Sequence, residues 1–327
     1  MTLPGHFVGV DVGGTKVAVA TLDEGQLSDS VVMPTRKGSS QELVDQLAGA
    51  VENARTDRTQ AAGIGVPAAI EFATGTAKSG VNVPLHGVPL RNLLGERLGI
   101  AVFVDNDANV AALAEAHDGE RLVTRHLVML TVGTGVGGGL ILDGRVYRGL
   151  TGAGAELGHI LIGLDLQRGA PAPAARFPQP GSLEALAAGT ALDHLGDAAA
   201  RARSDGALAS ALARRAHVTG VDVVEAAHAG DEEAIGLVRL VGERLGIGIA
   251  SLINVFDPEE VVVGGGMSSA GDLLLEPARA VARGYVLPGV GEHTTIRLAR
   301  HGVRAGVYGA ALLAAQESAA AVHAAAS

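Results

Sequence analysis

The sequence of 327 residues contains no cysteine and no tryptophan, and aromatic residues make up only 2% of it. The absence of cysteine excludes disulfide bonds and cysteine-ligated metal sites. Because aromatic side chains are scarce, the core has to rely on Val, Leu, Ile and Ala and on close backbone approach at some of the 47 glycines. These features are typical of a globular protein, and the length allows two domains that each have a core.

Basic residues are also in the minority, because 25 Lys and Arg stand against 35 Asp and Glu, which gives a net charge of −10. Nucleic acids and anionic membrane surfaces are bound by clustered Lys and Arg, so neither is expected as a partner. The longest uncharged run, 127–142, is rich in Gly and Thr and is too short for a membrane span. The first six residues lack the basic and apolar regions of a signal peptide, which indicates a cytoplasmic protein.

The order of the predicted elements indicates two α/β domains with a cleft between them. A run of strands followed by helices in 6–117 is repeated from residue 127 onward. The stretch 164–181 contains four prolines and is predicted to be a long loop, followed by a mostly helical region. The predicted helices are 42–54, 90–98, 107–117, 183–198, 207–215, 221–229, 232–256 and 303–324. We place 1–120, with the terminal helix 303–327 returning to it, in a small domain and 121–302 in a large one.

Two segments look like copies of one strand–turn–strand device. Residues 10–16 read Val-Asp-Val-Gly-Gly-Thr-Lys, and 130–139 read Leu-Thr-Val-Gly-Thr-Gly-Val-Gly-Gly-Gly. The copies align without a gap at 12/132, 13/133, 22/142 and 23/143, and an acidic-Gly turn closes each copy, at 23–25 and at 143–144. Glycine leaves backbone N–H groups unobstructed, so a phosphate can approach the chain closely. The duplication predicts an actin/hexokinase-like (ribonuclease H-like) fold that holds nucleotide phosphates from both sides, and therefore phosphoryl transfer.

Within these loops, Asp11 could hold Mg²⁺ directly or through water, and Thr15 or Lys16 could donate to phosphate oxygens. The second loop contains the spacing Gly-x-Gly-x-x-Gly at 133–138, but a return strand follows it. A Rossmann loop opens a helix, so we reject a dinucleotide site.

Three acidic positions outside the loops have both a chemical and a structural interpretation. Asp107 lies between a predicted strand and a helix, where it could take a proton from a sugar hydroxyl or cap the helix. Glu156 and His159 would share a face on a helical turn and suit a polyol, although a structural pair fits equally well. Glu184 reads as a first-turn carboxylate of a helix capped by Ser182.

Two further positions have local interpretations. Asn82 reads as a turn residue, and 264–266, which are three glycines after a buried strand, could lie under a nucleotide or form a strand-to-helix turn.

Taken together, these segments resemble the ROK family (repressors, uncharacterised frames and sugar kinases), in particular its bacterial glucokinases. The resemblance covers nearly the whole chain, and the matching segments are 11–16, 65–67, 106–109, 133–139, 154–159, Asn254 with 257–258, and 261–266.

The resemblance implies that Asp107 is the base that takes the proton from the primary hydroxyl of the sugar. The sugar would be hydrogen-bonded by five side chains: Asn82, Asn106, Glu156, His159 and Glu184. The phosphates of ATP would be cradled by the two loops, at Asp11, Gly13, Gly14, Thr15, Lys16, Thr134, Gly135 and Gly137. Asp11 would lie near Mg²⁺, and Gly265 and Gly266 would line the adenosine pocket. The family also implies a homo-oligomer, either a dimer or a tetramer.

The chain departs from the family pattern after His159. Members of the family usually carry a Cys-x-Cys-Gly-x-x-Gly-Cys-x-Glu zinc segment there, whereas this chain has a loop rich in Pro and Ala, with Ser182 in place of the last Cys. Zinc of that kind cannot be bound, so we expect His159 to be oriented by a hydrogen bond.

Several alternatives stay open on the sequence. The same fold could phosphorylate N-acetylmannosamine, fructose or mannose, or use polyphosphate in place of ATP. A polyphosphate groove would need a cluster of Lys and Arg, and no such cluster is seen near the loops, although Arg145 and Arg148 are close. A sugar-responsive repressor is disfavoured by the acidic charge, and a catalytically silent sugar-binding protein by the retention of Asp11 and Asp107.

Overall fold

The structure, a computed structural model, describes residues 4–80, 82–119, 121–203 and 205–326. By the density of its internal contacts it divides into two compact units. Unit 1 comprises Met1–Leu127, Gly139–Ala155 and Arg300–Ser327, and unit 2 comprises Val128–Gly138 and Glu156–Ala299.

The N-terminal part of the chain supplies most of unit 1. Its strands are β1 His6–Val12, β2 Lys16–Asp23, β3 Gln26–Leu27, β4 Val31–Pro34, β5 Thr59–Val66, β6 Ala68–Glu71, β7 Thr76–Gly80 and β8 Ala101–Asn106. Its helices are α1 Ser40–Ala54, α2 Leu90–Leu98 and α3 Asp107–Glu115.

The remainder of the chain is mostly helical, as the sequence predicts. Its strands are β9 Leu127–Val132, β10 Val136–Leu142, β11 Arg145–Val146, β12 Glu260–Gly264 and β13 Thr295–Leu298. Its helices are α4 Leu183–Ala187, α5 Gly189–Ala202, α6 Ala207–Arg215, α7 Gly220–His228, α8 Glu232–Phe256, α9 Asp272–Tyr285 and α10 Ala305–Ala326. Short 3₁₀ turns cover Leu157–His159, Gly266–Ala270 and Gly302–Arg304.

The sheet of unit 1 is a meander that continues into parallel strands. Its order is β3-β2-β1-β5-β8, and β4 pairs with the free part of β2. β1 is antiparallel to β2 and parallel to β5, which is parallel to β8. The second sheet has the order β11-β10-β9-β12-β13. In the first sheet, β1 of the glycine-rich hairpin therefore lies beside the parallel strand β5, and in the second sheet β9 of the second hairpin lies beside β12.

Helix α10 packs on β1, β5 and α3 of unit 1. This approach requires small residues, because a Cβ at Gly9 would collide with the carbonyl of Val307 and one at Gly63 with the carbonyl of Ala310. The domain limits inferred from the sequence stay a prediction, because the division by contacts also assigns 139–155 to unit 1. Among the helices of the described ranges, none combines the length and the apolar character that a membrane crossing requires.

Most of the expected elements are confirmed, and the helices 90–98, 207–215 and 232–256 keep their predicted limits. The expectation of one helix over 183–198 is wrong, because the chain is extended at Ala188, where ψ is 167°. The sequence interpretation also missed α9 and the small β6–β7 hairpin.

Candidate functional site

The first glycine loop joins β1 to β2 and is closed by its own backbone. The N–H of Gly13 donates to the carbonyl of Lys16 at 2.8 Å, and the hydroxyl of Thr35 donates to the carbonyl of Gly13 at 2.8 Å. Thr15 and Lys16 are exposed. Asn82 lies beside this loop, since a Cβ at Gly14 would be 3.3 Å from the Cβ of Asn82. The structure thus brings one predicted sugar-binding residue to the predicted phosphate loop.

Asp11, at the end of β1, lies against the first turn of α10, where Gly306 leaves room for its carboxylate. Burial, followed by the charge of Asp107, raises the pKa of Asp11 to about 6, and the charge of Lys16 opposes this shift. The protein therefore compensates the negative charge of the Asp11 carboxylate only in part. A cation bound beside this carboxylate would supply the missing positive charge.

The segment 105–109 places Asp107 at the first residue of α3. The expectation that Asp107 caps this helix is wrong, because Asn106 is the N-cap and accepts hydrogen bonds from the N–H groups of Ala108 and Asn109 at 2.9 and 3.3 Å. Asp107 itself accepts from Ala108 N at 2.9 Å and is half-buried. A carboxylate at the first turn of a helix interacts favourably with the helix dipole, and its chemistry is that of a candidate general base.

The second glycine loop joins β9 to β10, and residues of unit 2 hold it in place. The N–H of Gly189 donates to the carbonyl of Gly133 at 2.7 Å, and the hydroxyl of Thr190 donates to the carbonyl of Thr134 at 3.0 Å. A Cβ at Gly189 would lie 2.8 Å from that Gly133 oxygen. These contacts explain the break between α4 and α5, because the N–H of Gly189 turns away from a helical partner to reach the loop.

Glu184 lies in the first turn of α4, and Ser182 caps this helix as predicted by accepting from Ala185 N at 3.2 Å. The carboxylate of Glu184 accepts a hydrogen bond from Val136 N at 2.8 Å. Its observed contact is thus with the second glycine loop, directly after Gly135, and its role toward a sugar stays a prediction. Gly137 follows within β10 and is half-buried.

Glu156 and His159 share one side of a 3₁₀ turn, with 3.9 Å between Glu156 Oε2 and His159 Nε2. The expected orienting hydrogen bond on His159 is absent, because its Nδ1 is buried without a hydrogen-bond partner. The imidazole instead packs edge-on against the ring of Phe177, with centroids 5.3 Å apart and an interplanar angle of 71°. The loop that replaces the cysteine segment thus supplies an aromatic contact to this histidine.

Unit 2 also contains a cavity of about 500 Å³ at the second glycine loop. Its walls come from the loop, from the starts of α5 and α7 and from the turn after β12, and the lining residues are Gly133, Thr134, Gly189, Thr190, Asp193, Thr219, Gly220, Val221, Val224, Gly266, Met267 and Ser269. Gly266 lines this cavity, and its place in an adenosine pocket stays a prediction. Gly265 does not line this cavity, because it packs directly on the backbone of Val132.

The sequence interpretation missed most of this cavity wall. One signal was available: Thr219 and Asp222 form a capping box, which marks a helix start. Asp193, whose carboxylate accepts from the N–H of Gly220, carried no local signal.

The arrangement combines two glycine-rich loops, each joining the strands of a hairpin, with a carboxylate at a helix start and a cavity beside one loop. The model of the ROK family matches residues 7–317, and the chain belongs to this family.

Three relatives show how far this likeness extends. A glucokinase from Halalkalibacterium halodurans is 34% identical over 319 residues, 95% of either chain. A ROK hexokinase structure from Thermus thermophilus is 37% identical, with a TM-score of 0.77 over 96% of this chain and 99% of that one. A ROK glucokinase from Streptomyces griseus, in complex with glucose and AMPPNP, is 32% identical, with a TM-score of 0.75 over 95% of this chain and all of that one. The predicted family and actin/hexokinase-like fold are confirmed.

Proposed function

We propose that this protein is an ATP-dependent glucokinase that transfers the γ-phosphoryl group of ATP to the 6-hydroxyl of glucose. The observation that carries the proposal is the similarity, over almost the whole chain, to a glucokinase that holds glucose and AMPPNP. The two glycine loops and the carboxylate at the start of α3 support it, because they are the groups that such a reaction needs.

Support for the nucleotide comes from both loops. The N–H of Gly13 closes the first loop by donating to Lys16, which leaves the backbone of Gly14 and the side chains of Thr15 and Lys16 as donors to phosphate oxygens. Thr134, Gly135 and Gly137 would serve the same purpose in the second loop. The cavity of about 500 Å³ has a size that is typical of small-molecule sites. Its apolar side, formed by Val221, Val224 and Met267, suits an adenine ring, and its polar side, formed by Asp193 and Thr219, suits ribose hydroxyls.

Asp11 fits a role beside the magnesium ion of MgATP. Its raised pKa reflects a negative charge that burial and Asp107 leave poorly neutralised. A magnesium ion that arrives with a nucleotide usually keeps several waters and is held by one or two carboxylates together with the phosphates, so Asp11 would contribute one of these ligands. When bound, it would neutralise charge on the phosphates during transfer.

The acceptor side is assigned to Asp107. In the proposed step its carboxylate takes the proton of the 6-hydroxyl while that oxygen bonds to the γ-phosphorus, and the bond from this phosphorus to the β–γ bridging oxygen breaks to release ADP. The other hydroxyls of the sugar would be held by Asn82, Asn106, Glu156, His159 and Glu184.

The ROK membership also supports a cytoplasmic homo-oligomer, a dimer or a tetramer. Light scattering after size exclusion would measure the oligomeric state.

The proposal is tested by coupled ADP release with MgATP and glucose, mannose, fructose, N-acetylmannosamine or N-acetylglucosamine. We expect the highest kcat/KM with glucose. A higher value with another sugar would move the assignment to that kinase activity. Turnover with polyphosphate but not with ATP would change the donor, and a folded protein that phosphorylates none of these sugars with either donor would refute the proposal.

A further inference from the structure

In unit 1, a buried cluster of charged side chains contacts the residues on either side of Asp107. At its centre is Asp105, a buried residue of β8 whose two carboxylate oxygens are both engaged. Oδ1 accepts from the backbone N–H of Asn106 at 2.8 Å and from Nδ2 of Asn109 at 2.9 Å. Oδ2 accepts from Nε of Arg148 at 2.6 Å. Asp105 thus contacts the residues immediately before and shortly after Asp107.

Arg148 is held from three sides, and its side chain is only 17% exposed. Besides Asp105, its guanidinium donates from Nη2 to Glu317 of α10 at 2.9 Å. The guanidinium carbon also lies 3.4 Å from the centroid of the Phe72 ring, which is a cation–π contact. The planar fork of arginine can satisfy both carboxylates at once, whereas a lysine ammonium acts as a single point of charge.

These contacts link Arg148 to the geometry of the helix start. Asn106, whose N–H is fixed by Asp105, is the N-cap of α3, and its side-chain amide also donates to the carbonyl of Ala68 at 3.3 Å. A buried carboxylate that loses its charged partner is strongly unfavourable and draws in other donors or water. Loss of Arg148 would therefore loosen the contact between Asp105 and Asn106, and with it the position of Asp107.

We propose that Arg148 is a positioning residue for Asp107, which acts by fixing the carboxylate of Asp105 against the first turn of α3. This inference rests on the proposed function, because it concerns the base assigned to sugar phosphorylation. Arg148 does not touch the reacting atoms in this assignment. Its effect is on the placement of the base, and small misplacements of a reacting group are costly in rate.

Arg148→Lys is the informative variant because it keeps the positive charge and loses the fork. We expect its kcat with glucose to fall by about 10- to 100-fold, with KM for glucose and for ATP changed by less than about threefold. Arg297→Lys is the matched control: Arg297 pairs with Glu260 across β12 and β13 in unit 2, with 2.5 Å between Arg297 Nη2 and Glu260 Oε2 and an exposure of 17% for the arginine. Its kcat should stay within about twofold of the wild type.

A double-mutant cycle tests whether Arg148 acts through Asp105. If it does, Asp105→Asn should lower kcat by a similar factor, and the double variant should lose little more than either single variant. If Arg148 and Arg297 served only to keep the protein folded, kcat in Arg148→Lys and Arg297→Lys would fall only as far as the fraction of active enzyme falls. Active-site titration measures this fraction. Equal kcat in Arg148→Lys and Arg297→Lys, or independent multiplicative losses in the cycle, would overturn the proposal.

A second measurement does not depend on sugar turnover. Hydrogen exchange at the amides of Ala108 and Asn109, which donate to Asn106, should accelerate by about tenfold in Arg148→Lys and not in Arg297→Lys. Unchanged exchange at these amides would refute the anchoring of α3 by Arg148. A wild-type protein without kinase activity would refute the proposed function alone, because the exchange experiment would still decide whether Arg148 holds this helix start.

Discussion

Replacing Asp11 with asparagine should make the folded protein more stable at neutral pH while it removes MgATP-dependent turnover. The pKa of Asp11 is raised from 3.8 to about 6 by burial and by Asp107. Because the raised value belongs to the folded state, the native protein binds more protons than the unfolded chain between these values, so the carboxylate costs stability as the pH rises through this window. Below about pH 4 the cost is small, and above pH 6 it is complete.

The magnitude follows from the size of this shift. At ~1.4 kcal/mol for each tenfold change in proton affinity, the cost of the ionised carboxylate is about 3 kcal/mol at most, and about 1 kcal/mol if solvent screens half-buried Asp11 effectively. Asp11→Asn removes the charge with little change in shape. We therefore expect it to be about 1–3 kcal/mol more stable than the wild type at about pH 7.5 and nearly equal at about pH 4.

Urea unfolding at the two pH values, without nucleotide or magnesium, measures both differences. Asp197→Asn serves as a control of opposite sign, because a hydrogen bond from Val218 N, and then Arg201, hold the pKa of Asp197 below its usual value. That variant should lose stability at neutral pH. If Asp11→Asn shows the same stability difference at both pH values, or is less stable than the wild type at neutral pH, the carboxylate is neutralised by the protein itself and the reasoning is wrong.

Three further predictions concern the base, a glycine and the histidine. Asp107→Asn should fold normally and lower kcat with glucose by about 10²–10⁴-fold, so that near-normal turnover would exclude Asp107 as the base. Gly189→Ala should raise KM for ATP by about tenfold, because its Cβ would lie 2.8 Å from a loop carbonyl oxygen; Gly236→Ala, where a Cβ meets nothing within 4 Å, should leave KM unchanged. Phe177→Ala should raise KM for glucose by a few-fold, since it removes the ring that packs on His159, and an unchanged KM would show that the histidine is held by other contacts.

The features that the sequence predicts well are local ones. The strands of the two hairpins with glycine loops are marked by residues close together in the sequence, and β1–β2 and β9–β10 form where the duplicated pattern indicates. The long helix over 232–256 follows from a sustained apolar period and from Asp231 as N-cap, which accepts from Ala234 N. Such elements need no knowledge of distant contacts.

The features that the sequence interpretation missed depend on residues that are far apart in the chain. Nothing local interrupts a helix at Ala188; the break arises because Gly189 donates to Gly133 in another element. The cavity wall likewise combines three helices and a turn that no single motif marks. Even at Asp107 the error was one of competition, since two neighbouring residues can both cap a helix, and the backbone conformation of Asn106, with ψ at 147°, decides in its favour.

Two carboxylates near Asp107 in unit 1 have opposite electrostatic surroundings. Asp105 is buried and receives three hydrogen bonds, one of them from the guanidinium of Arg148, so its charge is compensated inside the protein. Burial and the nearby charge of Asp107 raise the pKa of Asp11, and the positive charge of Lys16 offsets this rise only in part. A protein selected for stability alone would neutralise both, since an uncompensated carboxylate costs free energy at every physiological pH. The difference is explained if the charge of Asp105 positions the helix start and that of Asp11 is kept for a cation that arrives with the substrate.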